Sequence, residues 1–426
     1  MKRRQFMQAV GGVLPAVAML GSPLVRAQSK AQAKVVVVGG GYGGATAAKY
    51  LRLWGDGKID VTLVEPNPQF VSCPLSNLVL GGFRQIADIT LSYDNLAKRH
   101  GVRLVRDYAQ AVDKEKSMLK LAGGQSLPYD RLILSPGVDF LWEQLPGMNT
   151  PEAQQKIMHA WKAGPQTVTL RKQLEAMPDG GTFIISIPPA PFRCPPAPYE
   201  RACQVAAYFA QHKKKSKVLI LDANEDVLSK GPLFKKAWAE RYRGIVEYTP
   251  GFTTADVDAA GNTVISDFGD KIQGAVVNVI PPQRAGGIAL QAGLANMNKR
   301  WCEVDFLSFE STQAKNIHIL GDAIQVAPLM PKSGHMANQH AKVCAAAVID
   351  LLNGGMPEQA PMLNNTCYSY LSEKQVAHIS SVHAYSADKK TFLSVPGAGG
   401  LSAAANEAET RYAESWAQNI WADTLA

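Results

Sequence analysis

A run of four valines entering a glycine-rich turn constrains this chain more than any other feature. Lys34-Val35-Val36-Val37-Val38 is an uninterrupted β-branched run, the pattern of a strand buried on both faces. It leads into Gly39-Gly40-Gly41-Tyr42-Gly43-Gly44, and residues 45–51 read as a helix. A second strand, residues 60–64, ends in Glu65, 21 residues beyond Gly44. The order is βαβ, with G-x-G-x-x-G (Gly39, Gly41, Gly44) at the first turn. The first glycine makes the tight turn, the second lets the backbone approach a pyrophosphate, and the third lets helix pack on strand. The helix N-terminus favours a diphosphate, and Glu65 is placed to accept from an adenosine ribose hydroxyl. A glycine-rich turn alone would say little. Strand, helix, second strand and acid in order argue for a dinucleotide, without choosing between FAD and NAD.

Three further segments favour FAD. Residues 129–134 form a strand that ends in Ser135-Pro136-Gly137. Residues 316–320 form another that ends in Gly321-Asp322. Lys332-Ser333-Gly334 then opens a small-residue helix over 337–352. In this order the segments resemble the flavoproteins with two dinucleotide-binding domains, also called disulfide reductase flavoproteins. That resemblance implies that Asp322 binds the ribityl chain of FAD. It also implies that the helix opened near Ser333 points its positive end at the flavin pyrimidine, favouring negative charge there on reduction. Taken alone, Asp322 reads equally well as a cap or turn residue.

Such proteins carry a second βαβ unit for NAD(P)H, and strands do fall at 182–187 and 217–222. The turn between them is not glycine-rich. Residues 188–198 hold six prolines and Cys194. Prolines donate no amide hydrogen, and bulky residues block close backbone approach. The second unit is therefore expected to have lost its NAD(P) site.

Six cysteines remain to be placed. Cys203 and Cys344 sit in apolar helical surroundings and read as core thiols. Cys302, beside Trp301, is left open between a structural thiol and one without an assigned role. Cys73 follows Glu65 closely, Cys194 lies in the proline-rich turn, and Cys367 lies in Asn365-Thr366-Cys367-Tyr368. None belongs to a C-x-x-C or C-x-x-C-H motif, which excludes thioredoxin chemistry and c-type haem attachment on this chain. His335 and His340 are not accompanied by clustered ligands, so no metal is expected.

Arg193-Cys194-Pro195-Pro196, Pro198-Tyr199-Glu200-Arg201 and Asn365-Thr366-Cys367-Tyr368 resemble the flavoprotein subunits of flavocytochrome c sulfide dehydrogenases. So do His159-Ala160-Trp161-Lys162-Ala163-Gly164, Ile280-Pro281-Pro282-Gln283-Arg284-Ala285-Gly286 and Met330-Pro331-Lys332-Ser333-Gly334. The similarity runs over almost the whole chain after the first 27 residues. It implies FAD attached covalently at Cys73 and a redox disulfide between Cys194 and Cys367. It implies sulfide as substrate, sulfur or polysulfide as product, and electrons leaving singly to a c-type cytochrome subunit in the periplasm. Glu200 is a candidate proton acceptor, with an ordinary salt bridge as the alternative. Arg193 and Lys332 are candidates for attracting an anionic substrate, with solvated charge as theirs. Cys194 and Cys367 would also serve as a purely structural bridge. The missing NAD site favours the redox role, because a flavoenzyme needs another electron source.

Composition sets the remaining bounds. The chain has 426 residues, 46% apolar and 19% charged, enough for buried cores and too apolar for disorder. Residues 1–27 read as an export signal: Lys2-Arg3-Arg4, an apolar stretch, then Val25-Arg26-Ala27 as a cleavage site. The Arg3-Arg4 pair resembles a twin-arginine signal, a route for proteins folded around a cofactor. Removing it takes away four basic residues and no acid, so the net charge falls from +8 to +4. That balance does not suggest nucleic acid, and no later apolar run is long enough to span a membrane. The expected architecture is α/β: a discontinuous FAD domain over roughly 34–148 and 274–353, a degenerate Rossmann-like domain over 149–273, and a C-terminal interface region over 354–426. Two other functions fit less well. A sulfide:quinone oxidoreductase would need a membrane-binding C-terminus, and residues 407–423 carry five charges. A non-catalytic flavin electron-transfer partner would bind flavin without reacting with sulfide.

Overall fold

In a computed structural model, described over residues 32–426, the valine run becomes the centre of a seven-stranded sheet. The expected export signal lies outside the described residues. Ala33–Val38 pairs in parallel with Ile59–Val64 on one side and Arg131–Leu134 on the other. Arg103–Val105 extends the sheet past Ile59–Val64, and Ile317–Ile319 extends it past Arg131–Leu134. Val35, Val36 and Val37 are at most 2% exposed. Burial on both faces explains why the run is continuous rather than alternating, and each such side chain contributes roughly 1.5–3 kcal/mol. The Tyr42–Trp54 helix packs against the Gly334–Leu352 helix, with Asn338 Nδ2 donating to Thr46 Oγ1 at 3.0 Å.

The second sheet has four parallel strands in the order Val246–Thr249, Lys217–Asp222, Thr182–Ile187, Val276–Val279. A domain boundary between 273 and 274 would assign Val276–Val279 to the first domain. The strand instead pairs with Thr182–Ile187, Phe183 opposite Val276, so the second sheet extends past that boundary. The cause is its four consecutive buried residues, which need a neighbouring strand on a covered sheet.

The C-terminal region forms a three-stranded antiparallel sheet, Met362–Tyr370, Val376–Ser386 and Thr391–Leu401, followed by the helix Ala408–Leu425. That helix returns to the first domain. Lys49 Nζ donates to the carbonyls of Ala422 and Asp423 at 2.9 and 3.0 Å, and Tyr50 donates to Asp423 at 2.5 Å. Trp421 Nε1 donates to the hydroxyl of Tyr42, within the glycine-rich turn. The region thus closes over the end of the sheet where the glycine motif lies.

Candidate active site

The glycine motif sorts its three positions by physical job. Gly39 has φ +97°, in the region that disfavours side chains, and a Cβ there would lie 2.3 Å from the Ser135 carbonyl oxygen. A Cβ on Gly44 would lie 1.8 Å from the Gly39 carbonyl oxygen, so this glycine is what lets helix meet strand. A Cβ added to Gly41 would meet nothing within 4 Å. That open space faces a cavity of about 830 Å³, in the range of small-molecule and cofactor sites. Glu65 sits on the same wall, accepting from the amide of Gly40 at 2.6 Å and from Asn67.

On the opposite side of the sheet end, Gly321 and Asp322 line the cavity. The Asp322 carboxylate makes no hydrogen bond to another described residue; Arg193 and Lys332 offset part of the burial that pushes its pKa up. A buried acceptor aimed into a cavity beside an open glycine turn fits a polyhydroxyl chain between a diphosphate and a ring. Lys332 donates to the carbonyls of Asp322 and Ile324 and lies 3.7 Å from the Trp301 ring centroid. Burial brings its pKa down to about 7. Ser333 caps the Gly334–Leu352 helix, accepting from Met336 N at 3.0 Å, and so places that helix N-terminus at the cavity.

The two distant cysteines meet here. Cys194 has φ +57°, uncommon for a side-chain-bearing residue. Its amide donates to the Lys332 carbonyl at 2.8 Å, tying the proline-rich turn to the loop before the Gly334–Leu352 helix. Cys367 is carried by Met362–Tyr370, which is held at several points. Ser333 donates to Asn365 at 2.6 Å, and Thr366 N donates to His335 Nδ1 at 2.9 Å. Further along, Tyr370 N donates to Glu200 at 2.8 Å, and its carbonyl accepts from Gln204 at 2.7 Å. All six cysteines are free, and the side chains of Cys194 and Cys367 lie beside one another. The neighbouring sulfur and burial push the Cys194 thiol up in pKa, while Cys367, with Cys194 and Lys230 beside it, is held down.

Glu200 stands on the first turn of the Ala197–His212 helix, beside this pair. Among the described residues it forms no salt bridge; its oxygens accept from Tyr370 N and Asn77 Nδ2, both at 2.8 Å. Burial pushes its pKa up to about 7. Cys73 Sγ accepts from Arg193 at 3.2 Å, and Arg193 also donates to the Trp161 carbonyl. Arg193 is thus a fixed link between Cys73 and the Cys194 turn, rather than a solvated charge.

Of the residues singled out in the sequence, Gly41, Glu65, Cys73, Gly137, Cys194, Glu200, Gly321, Asp322, Lys332, Ser333 and Cys367 share this one cavity. Gly39, Gly44 and Pro136 do not line it; the first two shape the turn, and Pro136 packs against Gly286. Cys203, Cys302 and Cys344 are fully buried elsewhere in the cores. Sequence reasoning missed Lys230, Asn77, Arg201 and His159. Arg201, buried, donates to Asn77, Asn278 and the carbonyls of His159 and Ala160. Arg201 and His159 sit inside the segments quoted for the resemblance, yet nothing in their spacing reveals a role. Lys230 and Asn77 carry no sequence signal.

The second Rossmann-like turn is filled by protein. Asp222, at the strand end where a nucleotide ribose would be met, accepts from Tyr199, Tyr248 and twice from Asn224.

Comparison with known proteins agrees with this geometry. Residues 167–281 match the central domain of the sulfide dehydrogenase [flavocytochrome c] flavoprotein chain. Residues 359–425 match the flavin-binding domain of flavocytochrome c sulphide dehydrogenase, and residues 33–172 match pyridine nucleotide-disulphide oxidoreductases. The sulfide dehydrogenase [flavocytochrome c] flavoprotein chain of Chlorobaculum thiosulfatiphilum is 65% identical over 46 residues, 11% of this chain and 94% of that one. The mitochondrial sulfide:quinone oxidoreductase of Dictyostelium discoideum is 25% identical over 324 residues, 73% of this chain and 69% of that protein. In fold, the chain is similar to the sulfide:quinone oxidoreductase structure from Aquifex aeolicus, with a TM-score of 0.75 at 17% identity over 92% of this chain and 91% of that one. The chain is an α/β flavoprotein oxidoreductase, and it belongs to the sulfide-oxidising family of flavocytochrome c sulfide dehydrogenase flavoprotein chains.

Proposed function

We propose that this chain is the flavin subunit of a periplasmic sulfide dehydrogenase, oxidising sulfide to sulfur or polysulfide and passing electrons singly to a c-type cytochrome subunit. The observation that carries the reading is the meeting of Cys194 and Cys367 on one cavity wall, with Glu200 beside them and the dinucleotide glycines opposite. FAD would be held by Gly41 at its diphosphate, Glu65 at its ribose and Asp322 at its ribityl chain, with Cys73 as the covalent attachment. When bound, the flavin supplies a two-electron acceptor that can release electrons one at a time.

The protein groups supply the sulfur chemistry. With the cysteines joined as a disulfide, hydrosulfide attacks one sulfur, giving a persulfide there and a thiolate on the other. Arg193, Arg201 and Lys162 line the cavity and favour an anion. Glu200, poised near neutrality, takes the proton that the incoming sulfide or the persulfide gives up. A second hydrosulfide attacks the outer sulfur of the persulfide and breaks its S–S bond, releasing HSS− and leaving that cysteine as a thiol, so the cysteine pair holds the two electrons given up by sulfide. The protein-filled turn at Asp222 supports sulfide, rather than a nicotinamide, as the electron source.

Among the described residues no helix is long and apolar enough to cross a membrane. The acceptor is tested by reducing the purified protein with sulfide under argon and then adding oxidised cytochrome c or a short-chain quinone. Reoxidation by cytochrome c and not by quinone is the expected result. The reverse would make the chain a sulfide:quinone oxidoreductase. Fractionation of cells that produce the full chain tests the periplasmic assignment.

A further inference from the structure

Lys230 is a lysine where the fold has little reason to put one. It is 3% exposed and immediately precedes the Gly231–Glu240 helix in the left-handed region, φ 59°. Its carbonyl accepts from the amides of Leu233 and Phe234, which fixes its backbone. The ammonium donates to Ser369 Oγ at 3.0 Å. Ser369 and Cys367 are two apart on one strand, so both side chains leave the same face, which sets the ammonium close enough to Cys367 to hold its pKa down. No carboxylate pairs with it among the described residues. Glu200 feels the ammonium through space, but its oxygens accept from Tyr370 N and Asn77. A buried cation with only neutral partners is costly. A thiolate on Cys367 supplies the missing charge.

Among the described residues the other sulfur has no cation hydrogen-bonded to it; Lys230 acts on it only through space. The guanidinium of Arg193 is spent on Cys73 and the Trp161 carbonyl. Of the other titratable groups against the Cys367 strand, His335 accepts from Thr366 N and has its pKa lowered by burial, and His378, opposite Tyr368, is hydrogen-bonded to Glu409.

We propose that Lys230 is the counter-cation of Cys367, making Cys367 the departing sulfur when the Cys194–Cys367 disulfide is opened and placing the persulfide on Cys194. This rests on the redox-disulfide reading above. Hydrosulfide forms a bond to Cys194 Sγ. The Cys194–Cys367 bond breaks, and its electron pair stays on Cys367 as thiolate beside the ammonium. One negative charge enters as hydrosulfide and one remains as thiolate, so the step needs no other reactant. The thiol with the lower pKa leaves faster, which sets the direction of opening.

The test uses the full-length, flavin-loaded protein. Oxidised protein is digested to look for the Cys194–Cys367 cross-link. Anaerobic protein is then given one equivalent of sulfide, quenched with iodoacetamide and mapped by mass spectrometry. In parallel, the reduced protein is alkylated across pH to find the midpoint for Cys367. In wild type the persulfide is expected on Cys194. Lys230→Gln is expected to raise the Cys367 midpoint by about one pH unit or more, and Lys230→Arg to restore most of it. Ser369→Ala, which releases the ammonium from its hydroxyl, is expected to move the midpoint the same way by less. It carries the test should Lys230→Gln fail to fold. A cross-link with an unmoved midpoint, or with the persulfide on Cys367, overturns the role of Lys230 alone. Absence of the cross-link in wild type overturns both this inference and the sulfur chemistry on which it rests.

Discussion

Cys194 and Cys367, 173 positions apart in sequence, lie side by side on the wall of one cavity. One sits in a turn too rich in proline to hold a nucleotide, the other on a strand of the C-terminal sheet. Their contact depends on three grips on that strand, from Ser333, His335 and Glu200. If the pair is the entry point for sulfide, replacing either cysteine by serine should lower turnover on the order of 10³-fold or more while flavin content stays unchanged. Steady-state rates normalised to bound flavin check this.

Glu200 gives the account its pH dependence. Burial raises its pKa to about 7, so it is protonated below that pH and able to accept a proton above it. Sulfide turnover is therefore expected to rise with pH through about 7. Glu200→Gln should cost roughly 10²–10⁴-fold in kcat and remove that acid limb. The kcat profile between pH 5 and 9 is the measurement. A limb that survives the substitution would assign it to another group.

Cys73 lies on the cavity wall with Arg193 donating to its sulfur. Acid-precipitated wild-type protein is expected to retain its flavin through washing, and Cys73→Ser to release it. Absorbance of the supernatant near 450 nm reads the outcome.

Gly41 and Gly44 should fail in different ways. Gly44→Ala sets a Cβ against a backbone oxygen and is expected to destabilise the fold by about 1–3 kcal/mol or more, with or without flavin. Gly41→Val meets open space in the protein, so the flavin-free Tm should hardly change while flavin incorporation falls. Thermal denaturation of flavin-free and flavin-loaded protein separates the two.

What the sequence revealed and what it hid follow from how far each signal reaches along the chain. The glycine turn and Glu65 were legible because one βαβ unit contains all their geometry within about thirty residues. Ser333 was legible as a helix start for the same local reason. Asp322, Cys73 and the pairing of Cys194 with Cys367 came from resemblance to a family, since no spacing rule joins positions that far apart. The pairing of Val276–Val279 with Thr182–Ile187, just past the approximate boundary near 273, was not legible because a short buried strand does not name its neighbour. Lys230 and Asn77 were invisible: each acts only through tertiary contacts, on Cys367 and Glu200 respectively.

The central claim is that electrons from sulfide reach the flavin through Cys194 and Cys367. Anaerobic stopped-flow mixing with sulfide, following the flavin band, tests it most directly. Wild-type protein is predicted to bleach promptly, whereas Cys194→Ser and Cys367→Ser should retain their colour with sulfide and lose it only with dithionite. Bleaching of either serine variant at the wild-type rate would contradict the account and return the cysteine pair to a structural role.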